Sequence, residues 1–209
     1  MELYVQPVGG LQTNCYIVAS KENRAAIIDP GDDFAALVKS LETYGLAPAM
    51  ILLTHGHFDH IGAVNQLREK YRIPVYASRE ELPLLTDIQR NRARYHRVDK
   101  AQYNVQPDHF YADGDSIALD ELTFEVIATP GHTPGGVCLA CENLLFTGDT
   151  LFPNDVGRCD MFGGDFPAMK RSMEKLKALK KDYMVLPGHG PHTTLDQEKA
   201  QNPYMTGKV

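Results

Sequence analysis

Apolar and polar positions divide the chain into short strands and amphipathic helices. Two apolar runs, residues 3–8 and 11–19, flank Gly9-Gly10 and predict a hairpin at the start of the chain. Further runs with a period of two predict strands, and runs with a period near 3.6 predict helices. After the hairpin the predicted order is strand 25–28, helix 34–44, strand 50–53, helix 59–71, strand 75–76, helix 80–94, strand 122–128, hairpin 137–140 and 144–146, helix 167–179 and strand 183–186.

Strands and helices alternate through the first half of the chain. This order is typical of parallel strands covered by helices, while the N-terminal hairpin makes the sheet mixed. Asp32 or Asp33 is expected to cap the first helix, and Gly45 is expected to end it. The sequence therefore predicts an α/β fold with a β-rich region in each half.

Composition narrows the class of function. The chain has 209 residues, enough for one domain spanning residues 1–209. Its formal net charge of −6 argues against nucleic-acid binding. No apolar run approaches the roughly 20 residues of a membrane-spanning helix. The first residues lack the basic and apolar segments of a secretory signal, so we expect a cytoplasmic protein that binds neither nucleic acid nor a membrane.

The four cysteines agree with a reducing compartment, because four in a chain of this length do not make a disulfide framework. Cys138 and Cys141 form a C-x-x-C in an alternating, strand-like run. Positions three apart in a strand face opposite sides of the sheet. Packed thiols are therefore favoured over a redox or metal-binding pair.

The strongest chemical signal directly follows the apolar run 50–53, where three imidazoles and a carboxylate fall within six positions. On an extended backbone His55 and His57 would face the same side and could bind one ion. Asp59 and His60 begin a helical pattern and could bind a second ion. Neutral imidazole and carboxylate suit zinc, iron or manganese, whereas calcium prefers oxygen ligands.

Further candidate ligands lie where other apolar runs end. His132 lies in a T-P-G-H-T-P-G loop, Asp149 in a G-D-T loop and His189 in an L-P-G-H-G loop. Sheets of α/β proteins build their sites from loops at strand ends. The candidate metal-binding residues are His55, His57, Asp59, His60, His132, Asp149 and His189.

These motifs, in this order, resemble those of the metallo-β-lactamase-fold hydrolases, particularly the glyoxalase II (hydroxyacylglutathione hydrolase) group. The match runs from about residue 11 to residue 192. The resemblance implies an αββα sandwich of two mixed β-sheets flanked by helices, with the metal site at its edge. By position it implies one ion on His55, His57 and His132, a second on Asp59, His60 and His189, and Asp149 as the bridge.

The ligand set implied by the resemblance indicates hydrolysis of a small molecule. Two divalent ions, zinc with iron or manganese as alternatives, can share a water whose pKa falls to about 7. Asp59 and Asp149 are the expected catalytic carboxylates. A small acyl thioester is the expected substrate, because its carbonyl is electrophilic and its thiolate leaves easily.

Departures from the family pattern indicate which group within the family this chain resembles. True β-lactamases of the fold usually have a Cys where Asp149 stands, and RNA-cleaving members carry an insertion for which this chain has no room. The sequence ends about twenty residues after His189, so we expect the glutathione-binding C-terminal domain of glyoxalase II to be absent. A short, single-domain type is expected, and residues 157–160 match its G-R-x-D pattern.

Other activities of the fold supply the alternatives. They are hydrolysis of lactones, hydrolysis of phosphodiesters and a mono-iron persulfide dioxygenase reaction. A zinc-stabilised binding module is the non-enzymatic alternative, but structural zinc is usually four-coordinate and closed.

Several polar residues near the motifs are candidates for supporting roles rather than for metal binding. Arg158 is expected either to bind a substrate carboxylate or to pair with Asp160, since a guanidinium binds carboxylates bidentately. Asp29 is expected to stabilise a turn or support a ligand rather than bind metal. Three further histidines are not expected to be ligands: His96, His109 and His192.

A basic segment interrupts an otherwise acidic chain, with Arg90, Arg92, Arg94, Arg97 and Lys100. It is interpreted as a solvated helix face. The alternative is a lobe over the site that attracts anionic substrates.

Overall fold

A computed structural model describes residues 1–96 and 99–208. The strands are β1 (Glu2–Val8), β2 (Thr13–Ala19), β3 (Arg24–Ile28), β4 (Ala47–Leu52), β5 (Val75–Ser78), β6 (His109–Tyr111), β7 (Ser116–Leu119), β8 (Leu122–Ala128), β9 (Val137–Cys141), β10 (Leu144–Gly148), β11 (Leu151–Phe152), β12 (Asp155–Val156), β13 (Met184–Pro187) and β14 (Thr193–Thr194). The α-helices are α1 (Phe34–Thr43), α2 (Phe58–Ile61), α3 (Val64–Tyr71), α4 (Leu82–Leu85), α5 (Phe166–Lys177), α6 (Leu195–Gln201) and α7 (Pro203–Thr206). Short 3-10 turns occur at Arg79–Glu81, Ala93–Tyr95 and Lys100–Tyr103.

The strands form two mixed sheets and a small separate hairpin. The first sheet has the order β1-β2-β3-β4-β5-β6, and the second has the order β14-β13-β10-β9-β8-β7. In the first sheet β1 to β3 pair antiparallel and β3 to β6 pair parallel. In the second sheet only β10 and β13, among the described strands, pair parallel. This confirms the predicted αββα sandwich of two mixed sheets.

Alternating side chains distribute the core over three layers. On β2, Ile17 packs towards α1 and α3, while Tyr16 and Val18 face the second sheet. Helix α5 covers the outer side of the second sheet through residues such as Met173. Both faces of the central strands are covered, and so β2 and β9 are apolar almost throughout rather than alternating.

The C-x-x-C pair is confirmed as packed thiols. Cys138 lies in the cluster beneath α5, whereas Cys141 lies between the two sheets, so the two thiols face opposite sides of β9. All four cysteines are free.

One prediction of helical structure was wrong, and another was confirmed in position but not in its hydrogen bond. Residues 80–94 do not form one helix, because the helical backbone ends at Leu85 and the buried amide of Asn91 bonds to Tyr103 and Ala93 instead. Asp33, one of the two predicted capping residues, lies at the N-cap of α1, but its side chain makes no capping hydrogen bond. Its Oδ2 instead accepts from the backbone N–H of Gly9, which fastens the loop after β3 to the first hairpin.

Other helices and strands begin or end a few residues away from their predicted boundaries. The helix predicted over 59–71 is two helices, α2 and α3, and β4 ends at Leu52, before the histidine motif. Gly45 ends α1 as predicted, with φ of 64°. In residues 1–96 and 99–208 no helix combines the length and apolar character required to cross a membrane. One domain over residues 1–209 stays a prediction.

Candidate metal centre

Loops and the short helix α2 at one edge of the sandwich carry the candidate ligands. The motif from His55 to His60 links β4 to α2, and His132, Asp149 and His189 follow β8, β10 and β13. Strands β10 and β13 pair in parallel, and so their carboxyl ends meet at the same edge. The backbone N–H of Gly188 donates to the Gly148 carbonyl at 2.8 Å, which places Asp149 and His189 side by side.

Three buried imidazoles form a first group. The ring nitrogens of His55, His57 and His132 offer ligand atoms within 4.8 Å of one another. Nδ1 of His57 lies 2.9 Å from Nε2 of His132. All three side chains are buried. Because β4 ends at Leu52, strand alternation does not bring His55 and His57 together, and the loop backbone does so instead.

A second group contains Asp59, His60 and His189, whose ligand atoms also lie within 4.8 Å of one another. Nε2 of His189 lies 3.1 Å from Oδ2 of Asp59. Nε2 of His60 lies 3.7 Å from the same carboxylate oxygen. His60 is completely buried, whereas His189 is partly open to the cavity.

Asp149 lies between the two groups. Its Oδ1 is 3.5 Å from Nε2 of His60. Its Oδ2 is 3.6 Å from Nε2 of His132 and 3.7 Å from Nε2 of His189. A single carboxylate therefore reaches residues of both groups, which is the arrangement a bridging ligand requires.

Buried polar atoms without hydrogen-bond partners show that these residues fit metal ions. Among the described residues, such atoms include Nε2 of His55, His57 and His60 and Oδ1 of Asp149. A buried polar atom left unpaired is costly, and a bound cation removes that cost by accepting the lone pair. Imidazole nitrogen with carboxylate oxygen is a donor set for zinc, iron or manganese.

The opposite ring nitrogens of His132 and His60 are held by other groups of the protein. Nδ1–H of His132 donates to the Arg158 carbonyl at 2.7 Å, and Nδ1 of His60 lies 2.9 Å from Oδ2 of Asp29. Such partners fix the orientation of the ring and leave Nε2 for the ion. Asp29 also accepts from the backbone and hydroxyl of Thr54, so its oxygens are occupied although it lies close to His55 and His60.

The charges differ between the groups. Burial lowers the pKa of His57 to about 3, and it also lowers the pKa values of His55 and His132, so the first group is neutral. Burial opposes charge on His60 and Asp149 as well, but their mutual attraction outweighs it. The pKa of His60 is therefore raised and that of Asp149 lowered, as an ion pair requires.

Sequence reasoning missed a buried carboxylate that joins two ligand loops. Glu81 is 1% exposed and accepts from the backbone N–H of Gly56 and of Gly135, both at 2.7 Å. Gly56 separates His55 from His57, and Gly135 lies three positions after His132. Nothing in the local sequence distinguishes Glu81 from its exposed neighbour Glu80.

A cavity of about 460 Å³ opens over the carboxylates and is lined in part by Leu11, Phe58, Arg92 and Arg158. Arg158 pairs with Asp160 through two contacts, Nε to Oδ1 at 2.6 Å and a terminal nitrogen to Oδ2 at 2.7 Å. The pairing interpretation is thus present in the structure, while substrate contact by Arg158 stays a prediction. Arg97 of the basic segment lies outside the described residues.

Comparison with known proteins places this geometry in context. A sequence pattern described as "Metallo-beta-lactamase superfamily" matches residues 8–189. Hydroxyacylglutathione hydrolase GloC of Haemophilus influenzae is 35% identical over 211 aligned positions, covering 100% of both chains. The crystal structure of BLEG-1, described as a B3 metallo-beta-lactamase, is 39% identical with a TM-score of 0.90, covering 99% of this chain and 100% of that one. TTHA1623, solved in a di-iron-bound form, is 38% identical with a TM-score of 0.85, covering 96% of this chain and 99% of that one.

Proposed function

Because the chain belongs to the metallo-beta-lactamase superfamily, we propose that it hydrolyses small acyl thioesters with two divalent metal ions, as a glyoxalase II-like enzyme. The position of Asp149 within 3.5–3.7 Å of residues from both ligand groups carries the proposal. A closed structural zinc site uses four ligands. Two groups of three joined by a shared carboxylate favour a two-ion reaction centre over a binding module.

In this proposal each group holds one ion. His55, His57 and His132 hold the first, Asp59, His60 and His189 hold the second, and Asp149 is shared. When bound, two such ions supply an activated water at neutral pH and a Lewis acid for the carbonyl. We propose zinc as the native metal, with iron as the competing choice because TTHA1623 was solved with two irons.

The chain's own residues have separate tasks. The Asp59 and Asp149 carboxylates border the cavity and would hold the ions, and with them the reacting water, at its floor. Leu11 and Phe58 supply an apolar wall beside them. A thiolate leaves without protonation, so a thioester requires no strong general acid at this site. Contact of Arg158 with the substrate stays an alternative to its pairing with Asp160.

The relative GloC supports the choice of a thioester, since its name is that of a hydrolase of hydroxyacylglutathione. We propose a small-molecule substrate in a cytoplasmic, reducing setting, in agreement with the free cysteines. Neither nucleic acid nor a membrane is part of the proposal.

Metal analysis combined with a substrate panel tests this function. Protein loaded with zinc, iron or manganese is assayed for thiol release from acyl thioesters, with a chelator control and Asp149→Ala as background. Two metal equivalents per chain and chelator-sensitive thiol release are expected. Opening of lactones, cleavage of phosphodiesters or oxygen uptake with a persulfide, without thiol release, would contradict the thioesterase assignment.

Hydrolysis of β-lactams is a second candidate, favoured by the similarity to BLEG-1 over nearly the whole of both chains. Because of this similarity, the presence of Asp149 where β-lactamases usually have a Cys does not exclude β-lactamase activity. A chromogenic cephalosporin in the same panel separates the two activities by their relative kcat/KM values.

A further inference from the structure

One arginine of the basic segment enters the cavity above the candidate metal centre. Arg92 lines that cavity together with His57, Asp59 and Asp149. Arg90 and Arg94 do not line it. The segment was interpreted from sequence as a solvated helix face. In residues 90–96 the backbone instead contains a 3-10 turn at Ala93–Tyr95 and is bonded to the loop that carries the ligands.

The buried residue Asn91 fastens this segment to the metal loop. Its carbonyl accepts from the backbone N–H of Phe58 at 2.9 Å, one position after His57. Its side-chain amide donates to the Tyr103 carbonyl at 2.9 Å and accepts from the Ala93 N–H at 3.0 Å. Asn91 is 0% exposed, so Arg92 starts from a fixed point next to the candidate ligands.

Arg92 itself has an unusual backbone. Its φ is 73° and its ψ is −1°, a left-handed conformation that is unfavourable for a residue with a side chain. Such strain is tolerated where the surrounding structure fixes it, and it often occurs at functional sites. Here the bonds of Asn91 on one side and of Ala93 on the other fix it.

Neighbouring basic groups already have partners. Arg90 lies 3.3 Å from Asp87 and over the Phe162 ring, and Arg158 is held bidentately by Asp160. Lys100 donates to the carbonyls of Ala93 and His96. Within residues 1–96 and 99–208, Arg92 forms no salt bridge. Its guanidinium lies 5.6 Å from the centre of the Tyr95 ring, its charge contributes to lowering the pKa of Asp160, and the residue lines the cavity. A cationic group held beside a reaction centre without a direct salt bridge can donate its hydrogen bonds to an anion.

We propose that Arg92 determines specificity by binding a carboxylate of the substrate, so that the enzyme prefers carboxylate-bearing acyl thioesters. The planar guanidinium forms two parallel hydrogen bonds to a carboxylate, which neither an amide nor an ester can reproduce. This inference rests on the proposed function in so far as the substrate is a thioester. The preference for a carboxylate is a property of the cavity and can be measured without turnover.

Matched substrates test the preference. The acetyl thioesters of 3-mercaptopropionate and of its amide differ only in a charge on the thiol half, and succinyl and butanoyl thioesters of 2-mercaptoethanol differ in the acyl half. Arg92→Gln should raise KM about 10-fold for the charged member of one pair, as expected for loss of a charge-assisted hydrogen bond. The neutral member should change less than about 2-fold, and the discrimination should weaken with added salt.

Three variants complete the design. Arg94→Gln, at an exposed position in the same segment, should leave both substrates unchanged. Arg92→Lys should recover part of the discrimination, because it keeps the charge and loses the planar fork. Arg158→Gln separates the two cavity arginines. Metal content and thermal unfolding of each variant identify any that fails to fold.

A binding measurement separates this inference from the proposed function. The zinc-loaded protein is titrated with the thioether 3-(propylthio)propanoate and with its amide, neither of which can be hydrolysed. Tighter binding of the carboxylate, lost in Arg92→Gln, supports the inference even if no thioester is cleaved. Equal binding of both compounds, or an Arg92→Gln effect that is the same for both, overturns the inference and leaves thioester hydrolysis unaffected.

Discussion

Replacement of Gly31 by alanine tests how the second group of candidate ligands is positioned. Gly31 follows β3 in the loop that contacts α2, the helix that carries Asp59 and His60. Its carbonyl accepts from the Gly62 N–H at 2.9 Å. A Cβ at Gly31 would lie 1.6 Å from the Asp59 carbonyl oxygen and 2.6 Å from the Asp59 carbonyl carbon.

The expected displacement follows from this distance. Carbon and oxygen in ordinary contact are about 3.3 Å apart, so α2 or the loop has to move by roughly 1.7 Å. The obstacle is backbone on both sides, and a rotamer change cannot remove it. Overpacking of this kind costs about 1–3 kcal/mol of stability. A shift near 1 Å at a reaction centre can lower the rate by about 100-fold.

The assay compares metal content, thermal unfolding and hydrolysis for Gly31→Ala and Gly10→Ala. At Gly10 an added Cβ meets nothing within 4 Å, so that variant controls for the substitution itself. Gly31→Ala should lose metal at Asp59, His60 and His189 before it loses metal at His55, His57 and His132. A variant that keeps two ions and the wild-type melting temperature would show that close contact at Gly31 does not set the position of α2.

Three further predictions follow from the contacts described. Asp149→Ala should lower the metal content and reduce hydrolysis by about 100-fold or more. The control Asp196→Ala, at an exposed helix position, should retain both. A metal content in Asp149→Ala equal to that of the wild type would exclude Asp149 as the bridge. Burial raises the pKa of Glu81 from 4.5 to about 7, so the folded protein binds this proton more tightly than the unfolded chain does. The resulting gain in the free energy of unfolding is fully present below about pH 4.5 and is lost as the pH rises through 7. In metal-free protein, denaturant titrations should therefore show a loss of about 3 kcal/mol relative to Glu81→Gln over that range, and parallel pH profiles would refute the assignment. Met173→Ala, in the core beneath α5, should cost about 2–5 kcal/mol without altering metal content, and loss of metal would show that the core and the site are coupled.

Local patterns were sufficient to identify most of the strands. The run 122–128 alternates because one face of β8 packs against the first sheet while the other is half open, and the structure forms a strand over those same residues. Helix α5 was found because its apolar residues recur at helical spacing towards the second sheet. The prediction of a helix over residues 80–94 failed because tertiary hydrogen bonds of Asn91, rather than local propensity, determine the backbone there.

By itself, the sequence determined the residue types of the candidate metal site and their place at strand ends, since imidazoles and carboxylates concentrated in loops after apolar runs are a local signal. Only the tertiary structure decided which of them meet, because the distances from Asp149 to His60, His132 and His189 depend on the pairing of distant strands. It also revealed Glu81, whose neighbours in the sequence give no indication of a role, and it singled out Arg92 from a basic segment for which the sequence left two interpretations open. Their environments arise from burial and from loops brought together over long separations in the chain, and a linear pattern carries no record of those contacts.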